Sequence, residues 1–106
     1  MTDRLLIVYC TVPDSETAEK IASALVRERL CACVNRLPSV KSYYIWEGEF
    51  CTDDEQLLMI KTTEAAFDRL RERIESLHPY DVPEIIAVPV ERGNESYLSW
   101  LKKNVG

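Results

Sequence analysis

Tyr43-Tyr44-Ile45-Trp46-Glu47-Gly48-Glu49-Phe50 decides the fold. Aromatic and β-branched residues favour extended backbone on its N-terminal side, from Lys41-Ser42 to Trp46. Phe50 to Lys61 reads as a second extended run, ending in the apolar Leu57-Leu58-Met59-Ile60. Glu47-Gly48-Glu49 then reads as a hairpin turn, because Gly48 can take the positive φ such turns need. Two strands therefore stand back to back in the middle of the chain.

Outward from the hairpin, the incoming strand begins at Ala32–Asn35 and pauses near Leu37-Pro38-Ser39. Before it, Ala18, Ile21, Ala22, Leu25 and Val26 recur at helical spacing, with Asp14 as N-cap and Glu16 in the first turn, so a helix is expected over 14–30. Arg4 to Tyr9 is apolar on both faces and reads as the first strand. On the other side, Thr62 and Thr63 are expected to cap a helix whose core face is Phe67, Leu70, Ile74 and Leu77. A fourth strand is expected over Glu84–Val90, and Asn94, after Gly93, caps a final short helix carrying Leu98, Trp100 and Leu101.

The order β-α-β-β-α-β plus a C-terminal helix is the split βαβ, or ferredoxin-like, pattern of an α+β protein with an antiparallel sheet. The 106 residues are expected to form a single domain, 1–106. Helices cover one face of such a sheet, yet Leu5–Tyr9, Leu57–Ile60 and Ile85–Val88 are apolar on both faces. An open antiparallel face should alternate polar and apolar residues. Another copy of the chain is the simplest cover for it.

Hydrophobic residues make up 46% of the chain and charged residues 29%, a globular balance. The net charge of -5 argues against a nucleic-acid partner, which needs a basic excess. Arg69, Arg71 and Arg73 interleave with Asp68, Glu72 and Glu75, the pattern of a solvated helix face. No apolar stretch reaches the roughly 20 residues of a membrane span, and Met1-Thr2-Asp3-Arg4 leads into a run too short for a signal segment. A cytoplasmic location is expected, with Cys10, Cys31, Cys33 and Cys51 as free thiols.

The topology brings the end of the first strand, Cys10-Thr11, towards His78, Tyr80 and Glu84, in the loop Leu77-His78-Pro79-Tyr80-Asp81-Val82-Pro83-Glu84. Trp46-Glu47 points off the same sheet edge. Cys10 and His78 offer a thiolate and an imidazole, which suit copper or zinc better than calcium or magnesium. A lone loop histidine also serves as a hydrogen-bonding or capping residue, and a cysteine at a strand end as packing. Two donors are fewer than a tetrahedral structural zinc site takes. No nucleophile motif of serine or cysteine with histidine is present, and three glycines leave no glycine-rich phosphate loop, so no enzyme is expected.

Several segments, in order along nearly the whole chain, resemble the CutA divalent-cation tolerance family. They are Val8–Asp14, Leu30–Asn35, Ser42–Gly48, Met59–Thr63, His78–Glu84 and Tyr97–Trp100. The resemblance implies a ferredoxin-like subunit in a tight homotrimer, cytoplasmic and linked to tolerance of copper and other divalent cations. The family's proposed copper ligands, a cysteine and two adjacent histidines, fall on Cys10, Leu77 and His78. Leu77 cannot ligate, so a carboxylate or water would complete any site. Likeness of the family's trimer to PII-like signalling proteins implies a second reading, a sensor with a pocket between subunits. Trp46, Glu47, Lys61, Tyr80 and Glu84 would line it, for an anionic or zwitterionic ligand. A third reading is a non-catalytic scaffold.

Overall fold

The computed structural model describes residues 3–106. Met1 and Thr2, part of the expected single domain and of the expected leaderless N-terminus, lie outside the described residues. The elements are β1 (Leu5–Val12), α1 (Ser15–Arg27), β2 (Cys33–Trp46), β3 (Glu49–Thr63), α2 (Phe67–Leu77), β4 (Ile86–Pro89) and α3 (Glu95–Lys103). They form one four-stranded sheet in the order β2-β3-β1-β4. Every neighbouring pair is antiparallel, so β1 and β2 run parallel with β3 between them. This is the split βαβ topology expected from the element order.

Period-two alternation builds the core. Val8, Cys10 and Val12 of β1 and Leu58, Ile60 and Thr62 of β3 point to the helix side and are fully buried. Ala18, Ile21 and Leu25 of α1 and Leu70 and Ile74 of α2 meet them. The opposite sheet face stays uncovered in the single chain, with Ile86 and Val88 of β4 exposed.

Several boundaries differ from the expected ones for identifiable reasons. Helix α1 stops at Arg27 instead of residue 30 because Arg29 turns to φ 60°, the left-handed region. The Arg29 N–H then donates to the Val26 carbonyl and the Leu30 N–H to the Leu25 carbonyl. These bonds form a Schellman end, a motif usually marked by glycine. The Arg29 side chain donates to the Lys103 and Gly106 carbonyls, tying that end to α3. Strand β1 runs on to Val12, because Cys10, Thr11 and Val12 pair with Leu58, Leu57 and Gln56. Strand β4 is shorter than expected, Ile86–Pro89.

The expected caps fared unevenly. Asp14 caps α1 through a 2.8 Å bond from the Thr17 N–H, which lowers its carboxyl pKa, and Asn94 caps α3. Thr62 and Thr63 belong to β3 and are not the N-cap of α2, which is Ala66. The Thr62 hydroxyl instead donates to the Leu30 carbonyl at 2.7 Å, bracing the strand against the end of α1. At Gly93 a Cβ would lie 2.9 Å from the end of the Leu98 side chain, which would have to turn aside.

The hairpin is longer than the rest of the sheet. Its turn is Glu47-Gly48, both at positive φ, and Trp46 pairs with Glu49. The expected pause at Leu37-Pro38-Ser39 is a bulge within one continuous strand, between the pairs Leu37–Leu57 and Val40–Glu55. Pro38 sits where no ladder hydrogen bond is asked of it. Strand β1 ends opposite Gln56, so the pairs from Val40–Glu55 to the turn form a two-stranded ribbon beyond the packed sheet. That ribbon stretches the molecule to 45 × 25 × 23 Å and its radius of gyration to 14.4 Å. A compact chain of this length would reach about 13 Å.

Candidate functional site

A cleft of about 580 Å³ opens where the ribbon leaves the packed sheet. Strand β1 supplies Thr11, the ribbon supplies Ser42, Tyr43, Tyr44, Trp46, Asp53 and Glu55, and the loop after α2 supplies Tyr80, Asp81, Val82 and Glu84. Strand alternation explains the ribbon's share. Ser42 pairs with Asp53 and Tyr44 with Cys51, so Ser42, Tyr44, Trp46, Asp53 and Glu55 lie on one face.

Four carboxylates line this cleft with the rings of Tyr44, Trp46 and Tyr80, and no lysine or arginine does. Glu55 is only 7% exposed. Its Oε2 accepts a 2.8 Å hydrogen bond from the Tyr80 hydroxyl, and among the described residues no cationic group forms a salt bridge with it. The Tyr44 hydroxyl bonds to the Asp53 carboxylate in the same way. That bond pushes the Tyr44 phenol up to about 12, and burial followed by the Glu55 hydrogen bond drives Tyr80 still further above the usual range. Both phenols therefore stay protonated and donate to carboxylates.

His78 follows α2, where it forms the C-cap and its N–H donates to the Ile74 carbonyl at 2.8 Å. It is 8% exposed, and its ring lies 4.7 Å from that of Tyr80. Nδ1 accepts the Tyr80 N–H at 3.2 Å, so Nε2 carries the proton and donates to the Thr11 carbonyl at 2.8 Å. Both nitrogens are occupied. The Cys10 thiol is fully buried and points to the same Thr11 oxygen at 3.7 Å. Burial first, then the negative charges of Glu84 and Glu55, pushes it up to about 12.

The structure thus brings Cys10 and His78 to one carbonyl oxygen, as the topology suggested, but as two proton donors. Neither presents a lone pair outward, and a thiol and an occupied imidazole do not fit a copper ion. Among the described residues no cluster of three or more His, Cys, Asp or Glu is placed to hold a metal directly. His78 works here as a strut joining the loop to β1.

Of the residues expected around a pocket between subunits, Trp46, Tyr80 and Glu84 line this cleft within one chain, and Glu47 and Lys61 do not. Glu47 occupies the turn itself. Lys61 pairs with Ile7 and Cys33 and bonds to Asn35 at the other end of β3. It lies about 40 Å along the strand from Glu49. Without it the cleft has no counter-charge for an anion. Asp53, Glu55 and Tyr44 also line the cleft and were not among the residues expected of a pocket. Counting pairs back from the Glu47-Gly48 turn would have set Asp53 opposite Ser42 and Lys61 far from both.

The family model described as "CutA1 divalent ion tolerance protein" matches residues 6–104. The divalent-cation tolerance protein CutA of Thermus thermophilus is 54% identical over 100 residues, covering 94% of this chain and 97% of that protein. The chloroplastic protein CutA 1 of Oryza sativa is 48% identical over 99 residues, covering 93% of this chain. The chain spans 56% of the length of that plant relative. The solved Thermus thermophilus structure superposes with a TM-score of 0.95 at 53% identity, over 96% of this chain and 99% of that one. The Oryza sativa CutA1 structure gives 0.95 at 46% identity, over 99% and 96%.

Proposed function

We propose that this chain, which belongs to the CutA1 divalent ion tolerance family, serves cation tolerance without catalysis, by binding positively charged ligands in the acidic cleft. The observation that carries this reading is Glu55. It is a carboxylate only 7% exposed, hydrogen-bonded to one phenol, in a cleft without a basic side chain. Burying a carboxylate without a counter-ion is unfavourable, so a bound cation would offset part of that cost. Asp53, Asp81 and Glu84 add to the same negative field.

Oxygen donors suit hard divalent cations such as magnesium or manganese better than copper. Carboxylates spread around a 580 Å³ cleft would hold such an ion through its hydration shell. The copper reading through Cys10 and His78 would require both groups to give up their bonds to Thr11.

Self-association, with a homotrimer as the assembly, belongs to the proposal. A two-stranded ribbon is marginal alone in water. Its second face presents Ile45 paired with Phe50, beside Tyr43, and these are 65%, 68% and 66% exposed. Packing against other copies would cover that face and the open side of the sheet. The cytoplasmic placement rests on four cysteines that make no disulfide.

Calorimetric titration with Mn²⁺, Zn²⁺ and Cu²⁺ tests the site. Binding that Glu55→Gln weakens by about tenfold or more and Cys10→Ser leaves alone is expected. Binding lost in Cys10→Ser and kept in Glu55→Gln would overturn the cleft in favour of the thiol.

A further inference from the structure

The cleft has a composition that a metal ion alone does not use. Its volume, about 580 Å³, lies in the range of pockets for small organic ligands rather than single ions. Its rings alternate with its carboxylates, Tyr44 bonded to Asp53 and Tyr80 to Glu55, with Trp46 beside them. Aromatic faces attract alkylammonium groups, and most strongly when the cation is partly desolvated. A hydrated metal ion gains little from such walls.

We propose that the cleft takes an alkyl polyamine, its ammonium groups on the carboxylates and its methylene stem against the rings. This rests on the cation-binding reading above and names the ligand class of that site.

Two features favour a polyamine over a quaternary ammonium. Asp53 and Glu55 each accept one phenol hydrogen bond, which leaves lone pairs that seek N–H donors, and a quaternary ammonium has none. Asp53 and Glu55 also stand two residues apart on one face of β3, about 7 Å. Asp81 and Glu84 continue the negative lining from the loop. A short methylene chain between two ammonium groups bridges such a span. The ribbon's own basic residue is out of the way, since Lys41 pairs with Asp54 on the other face, 3.7 Å between charged atoms.

The test is calorimetric titration with spermidine, tetramethylammonium and Mg²⁺ at matched ionic strength. It uses the whole protein and the variants Glu55→Gln, Trp46→Ala and Tyr44→Leu. Spermidine is expected to bind at least about tenfold tighter than tetramethylammonium, with Mg²⁺ competing for the same site. Glu55→Gln should cost about tenfold or more, and each ring variant about three- to tenfold. Light scattering checks assembly in both ring variants, and Tyr44→Leu carries the result if Trp46→Ala changes it. Binding of Mg²⁺ without spermidine overturns the polyamine and keeps the cation site. Binding of neither overturns both. Spermidine binding indifferent to both ring variants reduces it to diffuse charge attraction and overturns the proposal.

Discussion

The packed half of the sheet and the ribbon are built from the same two strands under opposite rules. In the packed half, β3 lies between β1 and β2 and buries Leu58 and Ile60 completely beneath α1 and α2. Beyond Gln56 the strand has one neighbour, and its large side chains, Phe50 among them, face solvent. Backbone pairing is equally regular in both halves. What separates them is how much apolar surface is removed from water. The packed half is stabilised by burial, whereas the ribbon is left with surface to use on ligands and on other copies.

The sharpest contrast should come from truncation in each half. Leu58→Ala, at a fully buried position, is expected to cost about 2–5 kcal/mol in chemical denaturation. Ile45→Ala, 65% exposed, should change the stability of a dissociated chain by less than about 0.5 kcal/mol. In sedimentation the same variant should weaken self-association. An Ile45→Ala that unfolds the chain as Leu58→Ala does would erase the distinction between the halves.

A second contrast is in the response to alkali. Cys10, under the packed sheet, and Tyr44, on the ribbon, both have folded-state pKa values raised to about 12. A raised pKa means stability that is whole below the unfolded value and lost as pH rises through the folded one. For Cys10 that window opens near pH 9 and for Tyr44 near pH 10, each closing near 12. Thiol alkylation at pH 8 should spare Cys10 in the folded protein while labelling the partly exposed Cys33 and Cys51. Phenol absorbance followed against pH should show Tyr44 and Tyr80 ionising last. Ionisation of all five tyrosines together near pH 10 would refute the phenol–carboxylate bonds.

The smallest effect is at the tip. Glu47 adopts φ 50°, where a non-glycine residue is strained. Glu47→Gly should therefore gain up to about 1 kcal/mol in thermal unfolding and leave cation binding unchanged, since Glu47 does not line the cleft. A loss of binding in that variant would tie the tip to the site.

How much of this was legible follows the same division. Element order and core came from periodicity and from one turn signal at Gly48, because burial enforces alternation along every strand that touches the helices. The early stop of α1 was hidden, since an arginine fills the left-handed position where glycine would have announced it. Of the residues named from the loop, Tyr80 and Glu84 line the cleft, while His78 packs beside it and braces the loop. Where register decides the lining, local sequence carries little signal. Lys61 was placed in a pocket between subunits by family likeness, and in the single chain it lies at the other end of β3; Glu55, a lone mid-strand carboxylate, carries no motif. A pocket assembled across two strands is a property of their pairing, which local composition does not encode.

The bulge at Pro38-Ser39 works as a frame shift in the protein's own geometry. Before it, odd-numbered residues of β2 stand opposite odd-numbered residues of β3, as in Leu37–Leu57; after it, even-numbered residues do, as in Ser42–Asp53. Ser42, Tyr44 and Trp46 reach the carboxylate side under that second count. Removing Ser39 alone would erase the bulge, setting Pro38 opposite Gln56 and leaving Ser42 opposite Asp53, because the hairpin turn fixes the count from the other end. The extra residue is thus what lets a packed strand and a cleft-lining ribbon, each with its own count, share one unbroken chain.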